Sequence, residues 1–374
     1  MIIKIDNSLI DHIVVNKLEN DPDIINSINS FLRISQDKVH LVLVDILLID
    51  FIRENFEQKI DKSCFEALNQ IRNKEIGSIK TFLRTFPIHI NVVVDAGIQI
   101  NEVRVSDNIY YENGKIFEVN FYSLRSYSFL GEKVSILSEQ DTDVDFYSLI
   151  GKKYLIENHN NLVFEENKIT SGFGGNIKKQ VELAARNNEK TLIICDTDKI
   201  THCENLKDGC TLEQVENEFR LIEDKKIVHL VSLEAHEKEN LIPVSWLQEL
   251  NNDRNYCENI LKLEDSDFND RLLFLDFKKG LTKEKYLSAQ YIKDYYEPAI
   301  NYLSLDVGSL NNNSYIFSRV DKNNWNEHSI QILHSKNLKD YPAYLKGNIE
   351  KLGLYISCWL VSGRNDFSKA KDYV

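Results

Sequence analysis

Residues 191–200, TLIICDTDKI, join an apolar run to two aspartates one residue apart, Asp196 and Asp198. Two other stretches repeat the pattern. KVSILSE (133–139) ends in Glu139, with Asp143 four residues later, and HLVSLEA is followed by HEKEN, which carries Glu237 and Glu239. If the three runs lie side by side, six carboxylates share one edge and repel one another. Hard divalent cations with oxygen ligands relieve that repulsion. A pair of such ions activates a water and stabilises a leaving oxygen, which is phosphoryl chemistry. The motifs therefore ask for Mg2+ or Mn2+, two ions in all. Each acid also has a plainer role. A strand-end acid commonly caps a helix or faces solvent, and for Asp143 alone N-capping is the better reading. It is the series E-x3-D, D-x-D and E-x-E, each after its own apolar run, that chance explains poorly.

The elements that must position these acids follow from the period of the apolar residues. Residues 9–80 read as helical, including DKVHLVLVDILLIDFIRENFEQKI. Residues 88–137 are dense in Val, Ile, Tyr and Phe and read as strands, with ENGK as a hairpin turn; Asp95, at the end of VVVD, reads as a turn cap. From about 133 strands and helices alternate: KVSILSE, a helix over DVDFYSLIGKKYL, NLVFEE (161–166), a Gly-rich GFGGN turn opening a helix, TLIICDTD, a helix over 211–224 with Thr211 as N-cap, KIVHLVSLEA and a further helix. This alternation predicts an α/β fold, a mostly parallel sheet flanked by helices, whose functional groups gather at the carboxyl ends of the strands. The expected division is an N-terminal α+β region (1–130), the alternating domain (131–252) and a C-terminal mixed, helical region (253–374), where Trp359 reads as packing.

Composition narrows the classes. The chain has 374 residues, is 43% hydrophobic and carries net charge −13, enough apolar residues for a sizeable core. No run of eighteen apolar residues marks a membrane span, and the N-terminus does not read as a signal peptide. Six cysteines without a CxxC pair are expected to be reduced thiols in a cytoplasmic protein. His202, Cys203 and Cys210 are irregularly spaced for zinc. The charge is uneven: residues 271–374 hold 15 Lys and Arg against 11 Asp and Glu, or +4, which leaves −17 for the rest. The C-terminal region is thus the part suited to a polyanion.

The stretches VSILSEQDTDVDFY, LIICDTDK and EKENLIP, in that order, resemble the TOPRIM domain, closest to the OLD-type nucleases and related bacterial phage-defence nucleases. The resemblance covers about residues 133–250. It places Glu139 and Asp143 in the first motif, with Phe146 and Tyr147 at its aromatic positions, Asp196 and Asp198 in the second, and Glu237, Glu239 and Asn240 in the third. Gln140 stands where many members have Gly. The fold implied is a TOPRIM-like parallel sheet. The activity implied is metal-dependent hydrolysis of a phosphodiester in DNA, or in RNA including transfer RNA, by an effector of anti-phage defence. Glu139, Asp196 and Asp198 would hold the principal ion, and Asp143, Glu239 and Glu237 would help hold a second. Lys199, Lys278 or Lys279 would face the phosphate oxygens. OLD nucleases carry an ATPase domain, but no G-x4-G-K-[ST] occurs here; GFGG reads as a turn, so an ATPase partner would be a separate polypeptide. An oligomer is compatible with such a system, and the sequence leaves the oligomeric state open. Two other classes share these motifs: a topoisomerase or primase, and a non-catalytic adaptor.

Overall fold

The computed structural model describes residues 1–72, 79–108, 114–125, 128–159, 162–164, 168–172, 174–250, 258–320 and 325–363. Strand–helix alternation starts at residue 2 rather than near 133. Strands β1 (Ile2–Ile5), β2 (Leu41–Val44), β3 (Ile88–Val93), β4 (Val103–Asn108) and β5 (Gly114–Asn120) form one sheet in the order β2-β1-β3-β5-β4. Its neighbours are parallel except for β4 and β5, which are antiparallel. The ENGK turn expected between those two lies partly outside the described residues. LVLV at 41–44, expected as helix, is β2. Four consecutive buried positions fit a helix core and a doubly covered strand equally well, because periodicity cannot separate them over so short a run. Asp45 then accepts the Leu47 amide hydrogen and starts the helix Ile46–Phe56. Asp95 caps its turn as expected, accepting from the Gly97 amide and pairing with Arg104.

The second sheet positions the acids. After β6 (Ser135–Ser138) the chain forms the helix Asp141–Asn158, the short β7 (Val163–Phe164) and β8 (Lys168–Ser171). The helix Ile177–Arg186, β9 (Thr191–Cys195), the helix Thr211–Ile222 and β10 (Val228–Ser232) follow. The order is β10-β9-β6-β8, all parallel. NLVFEE does not supply the sheet strand: Val163 and Phe164 pair instead with Val361 and Ser362, and the less apolar KITS is the strand beside β6. The strands alternate between two cores, as a doubly covered sheet requires. Ile136, Leu192 and Ile194 face the main core with the helix Asp141–Asn158, while Leu137, Ile193 and Cys195 pack with the helices Ile177–Arg186 and Thr211–Ile222. Cys210, not Thr211, is the N-cap of the last helix: its backbone is extended and its Sγ accepts from the Glu213 amide at 3.5 Å.

The remaining strands, β11 (Leu281–Thr282), β12 (Tyr315–Phe317) and β13 (Val361–Ser362), are short. The helix Ala343–Leu360 packs along the helix Asp141–Asn158 and also touches β3. Two glycines permit that approach. A Cβ on Gly151 would collide with Ile356, and one on Gly353 would lie 2.9–3.1 Å from Tyr154. Trp359 is fully buried, its ring edge-on to Phe117 of β5 at 5.8 Å. One main core therefore runs from Met1 to Val361. No helix among the described residues is long and apolar enough to cross a membrane. Trp359→Ala should lower stability by about 3–5 kcal/mol, the range for deleting a large buried aromatic. Denaturant unfolding measures this, and a loss below about 1 kcal/mol would show that the indole does not hold the helix to the sheet.

Candidate metal centre

The acids sit where β6, β9 and β10 end, and hydrogen bonds between backbone and side chain lock those ends together. The Ser138 hydroxyl donates to the Ile194 carbonyl at 2.9 Å. The Gly172 amide donates to the Ser138 carbonyl and the Gly174 amide to the Glu139 carbonyl, at 2.7 and 3.0 Å, so these two glycines clamp the β6 end. A Cβ at Gly172 would lie 2.7 Å from the Ser138 oxygen, and Gly174 has φ of 62°, so these glycines are needed for packing and for the turn. On the other side, Thr197 donates to the Ala235 carbonyl at 2.6 Å and the Asp198 amide to the His236 carbonyl at 3.0 Å. Asp198 itself has φ of 53°, a left-handed conformation that aspartate tolerates better than most residues.

Asp143 is the third residue of its helix and completes a capping box: its Oδ2 accepts from the Gln140 amide at 3.0 Å. Its Oδ1 is paired with the buried Lys238. Glu237 and Glu239 flank that lysine on the 3-10 turn Lys238–Leu241. Asn240, 1% exposed, holds this turn in place. It accepts from the Glu237 amide at 3.1 Å and donates to the Leu272 and Leu275 carbonyls at 2.6 and 2.7 Å. Just beyond, Lys278 pairs with Glu237 and lies 3.2 Å from Glu239. Residues 272–278 of the C-terminal stretch thus complete a site begun by the parallel sheet.

The six acids form one electrostatic unit. Burial pushes Glu139 up to about 7, helped by Asp198, Asp143 and Glu237 and opposed by Lys278. Burial and the charges of Glu239, Glu139, Asp143 and Glu237 hold Asp196 well above the usual carboxylate range. Burial also raises Glu239, countered first by Lys278. Tyr147 donates to Asp196 at 3.2 Å, and burial followed by the Asp196 charge keeps its phenol well above its ordinary value. Lys238 and Lys278 neutralise Asp143, Glu237 and Glu239 from within, whereas Glu139 and Asp198 have no ion pair among the described residues. The Lys199 side chain makes none either; its carbonyl is the part engaged, 2.8 Å from His236 Nδ1. Lys279 is exposed, 3.7 Å from Asp276.

His236 is the residue that charge spacing missed. Its Nε2 lies 3.5 Å from Glu237 and 3.6 Å from Asp276. Burial lowers its basicity, but those two carboxylates and the Lys199 carbonyl outweigh burial and raise it. The only sequence signal was adjacency, since it opens the HEKEN stretch; Asp276 opens DFKKG, where only the lysines drew notice. Donor atoms of Asp198, His236 and Glu237 all lie within 4.8 Å of one another, a group able to hold a metal ion. His202, Cys203 and Cys210 form no such group among the described residues: Cys203 touches His202 at 3.0 Å and Cys210 caps a helix. Cys64, Cys195, Cys203, Cys210 and Cys358 are free thiols; Cys257 lies outside the described residues.

No family model, curated protein or solved structure matches the chain. The site is read from its own chemistry, and the Glu139 titration is the direct test of its crowding. A carboxyl raised from 4.5 to about 7 on folding contributes stability that is fully present below 4.5 and is lost as pH rises through 7. Glu139→Gln never charges. In metal-free protein its melting temperature should therefore gain on wild type between pH 5 and pH 8, by about 2 °C or more. A difference that stays constant over that range would show that Glu139 titrates as an ordinary surface acid.

Proposed function

We propose that this chain is a divalent-metal-dependent phosphodiesterase of the TOPRIM type, a nuclease acting on DNA or RNA. The observation that carries the reading is the convergence of carboxylates from three strand ends, with Glu139 and Asp196 held above the normal carboxylate range by burial and by each other. Such crowding is unfavourable until cations enter. The residues present offer them donors: Glu139 and Asp198 are free of ion pairs among the described residues, one Glu239 oxygen is buried without a hydrogen-bond partner, and among the described residues the donor atoms already gathered within 4.8 Å are those of Asp198, His236 and Glu237. Bound divalent ions supply a water acidic enough to ionise near neutral pH and positive charge against phosphate oxygens.

Glu139, Asp196 and Asp198 are the donors for the principal ion. Tyr147 orients Asp196 through its hydroxyl. Asp143 has both oxygens engaged, so an ion using it must displace Lys238, whereas Glu239 gives Oε1 to Lys278 and keeps Oε2 open. Lys278 keeps about half of its side chain exposed at the rim and is the cation best placed to meet a phosphate, ahead of Lys199. The role as an effector of anti-phage defence, and a separate ATPase polypeptide as partner, follow from the resemblance of the three motifs.

Supercoiled DNA and total RNA, incubated with Mn2+, Mg2+ or EDTA, test the reading. Cleavage is expected with either metal and none with EDTA. Asp196→Ala should reduce it by about 100-fold or more, the scale of losing several kcal/mol of metal-borne stabilisation. Undiminished cleavage by that variant overturns the site assignment. Relaxation without nicking would identify a topoisomerase, and inertness toward both substrates a binding adaptor.

A further inference from the structure

His236 has the geometry of a ligand. Its Nδ1 lies 2.8 Å from the Lys199 carbonyl oxygen. That oxygen only accepts, so Nδ1 carries a proton and Nε2 is the nitrogen left for a metal, which would take the place of any proton the neighbouring carboxylates hold there. The residue is 4% exposed, and Nε2 is buried with no hydrogen-bond partner. It faces Glu237 Oε1 at 3.5 Å and Asp276 Oδ2 at 3.6 Å, distances at the limit of a hydrogen bond and long for a good one. Glu237 divides its oxygens: Oε2 takes Lys278, and Oε1 is left toward His236. Asp198 completes the group, its main chain fastened to that of His236 by the 3.0 Å bond. An imidazole whose N–H rests on a main-chain carbonyl, with its bare nitrogen aimed among carboxylates, is how proteins hold a histidine ready for a metal.

We propose that Asp198, His236 and Glu237 bind a divalent ion through two carboxylates and one imidazole nitrogen, and that the nitrogen makes this position selective for a first-row transition ion such as Mn2+ over Mg2+. The inference rests on reading the sheet edge as a metal centre and does not depend on the substrate. Mg2+ prefers oxygen donors and sheds water reluctantly, whereas imidazole suits the transition ions. Asp198 also belongs to the Glu139–Asp196 side of the site, so this position adjoins that of the principal ion.

Pulsed electron paramagnetic resonance of the full chain with Mn2+ tests the ligation, and calorimetric titration with Mn2+ and Mg2+ tests the selectivity. The wild type should show nitrogen-14 coupling on bound Mn2+ that changes on nitrogen-15 labelling of histidine. His236→Gln should lose the coupling and at least about 10–100-fold in Mn2+ affinity, the scale already reached when only a partner of a metal-bound histidine is lost, with Mg2+ affinity little changed. Should that variant not fold, the labelled wild-type spectrum decides alone. Bound Mn2+ without histidine coupling would overturn the inference, leaving an imidazolium between Glu237 and Asp276 and an all-oxygen centre still in place. If wild type binds neither ion, this inference and the metal reading fall together.

Discussion

Like-charge repulsion at one sheet edge is the constraint on which the rest of this structure depends. Parallel strands place their carboxyl ends on the same side, so acids that follow β6, β9 and β10 cannot avoid each other. The fold answers in three ways. Lys238 and Lys278 neutralise Asp143, Glu237 and Glu239. Tyr147 shares a proton with Asp196. Glu139 and Asp198 are left without ion pairs among the described residues, and burial first, with the neighbouring acids second, raises Glu139 toward 7. A structural cluster would neutralise every member; this one leaves open the carboxylates best suited to an added cation.

Rigidity around those acids comes from distant parts of the chain. The helix that begins at Asp141 carries the Asp143 cap, and the helix Ala343–Leu360 lies along it, brought close by Gly151 and Gly353. Trp359 ties the same helix to the first sheet through Phe117. Asn240 anchors the Glu237–Glu239 turn to Leu272 and Leu275. The second sheet and the acids that follow it are thus braced by the helix Ala343–Leu360 and by residues 272–275, both far from them in sequence.

Legibility in the sequence followed the length and contrast of the signal. TLIICDTD and KIVHLVSLEA were readable as strands because each is an apolar run ending abruptly in charge, and the acid series followed from that. LVLV at 41–44 was not, because four apolar residues satisfy a helix face and a buried strand equally well. KITS was hidden because three of its four residues are polar, and the more apolar NLVFEE, itself a short strand of another pairing, took its place in the expected sheet. His236 and Asp276 carried no periodic or repeated pattern; each needed a partner far along the chain to acquire meaning.

By itself the sequence determined that acids would end three apolar strands, because strand-forming runs and their charged ends are local properties; that the three are neighbours came from the fold. It also determined the α/β class, through the alternation of periods. Only the tertiary structure decided which of those acids keep free charge. That depends on where Lys238 and Lys278 reach, on the Tyr147 hydroxyl meeting Asp196, and on the Lys199 carbonyl setting the tautomer of His236. These are contacts between residues tens of positions apart in the chain, and Coulomb interactions act through space, falling with distance in ångströms rather than with separation in sequence.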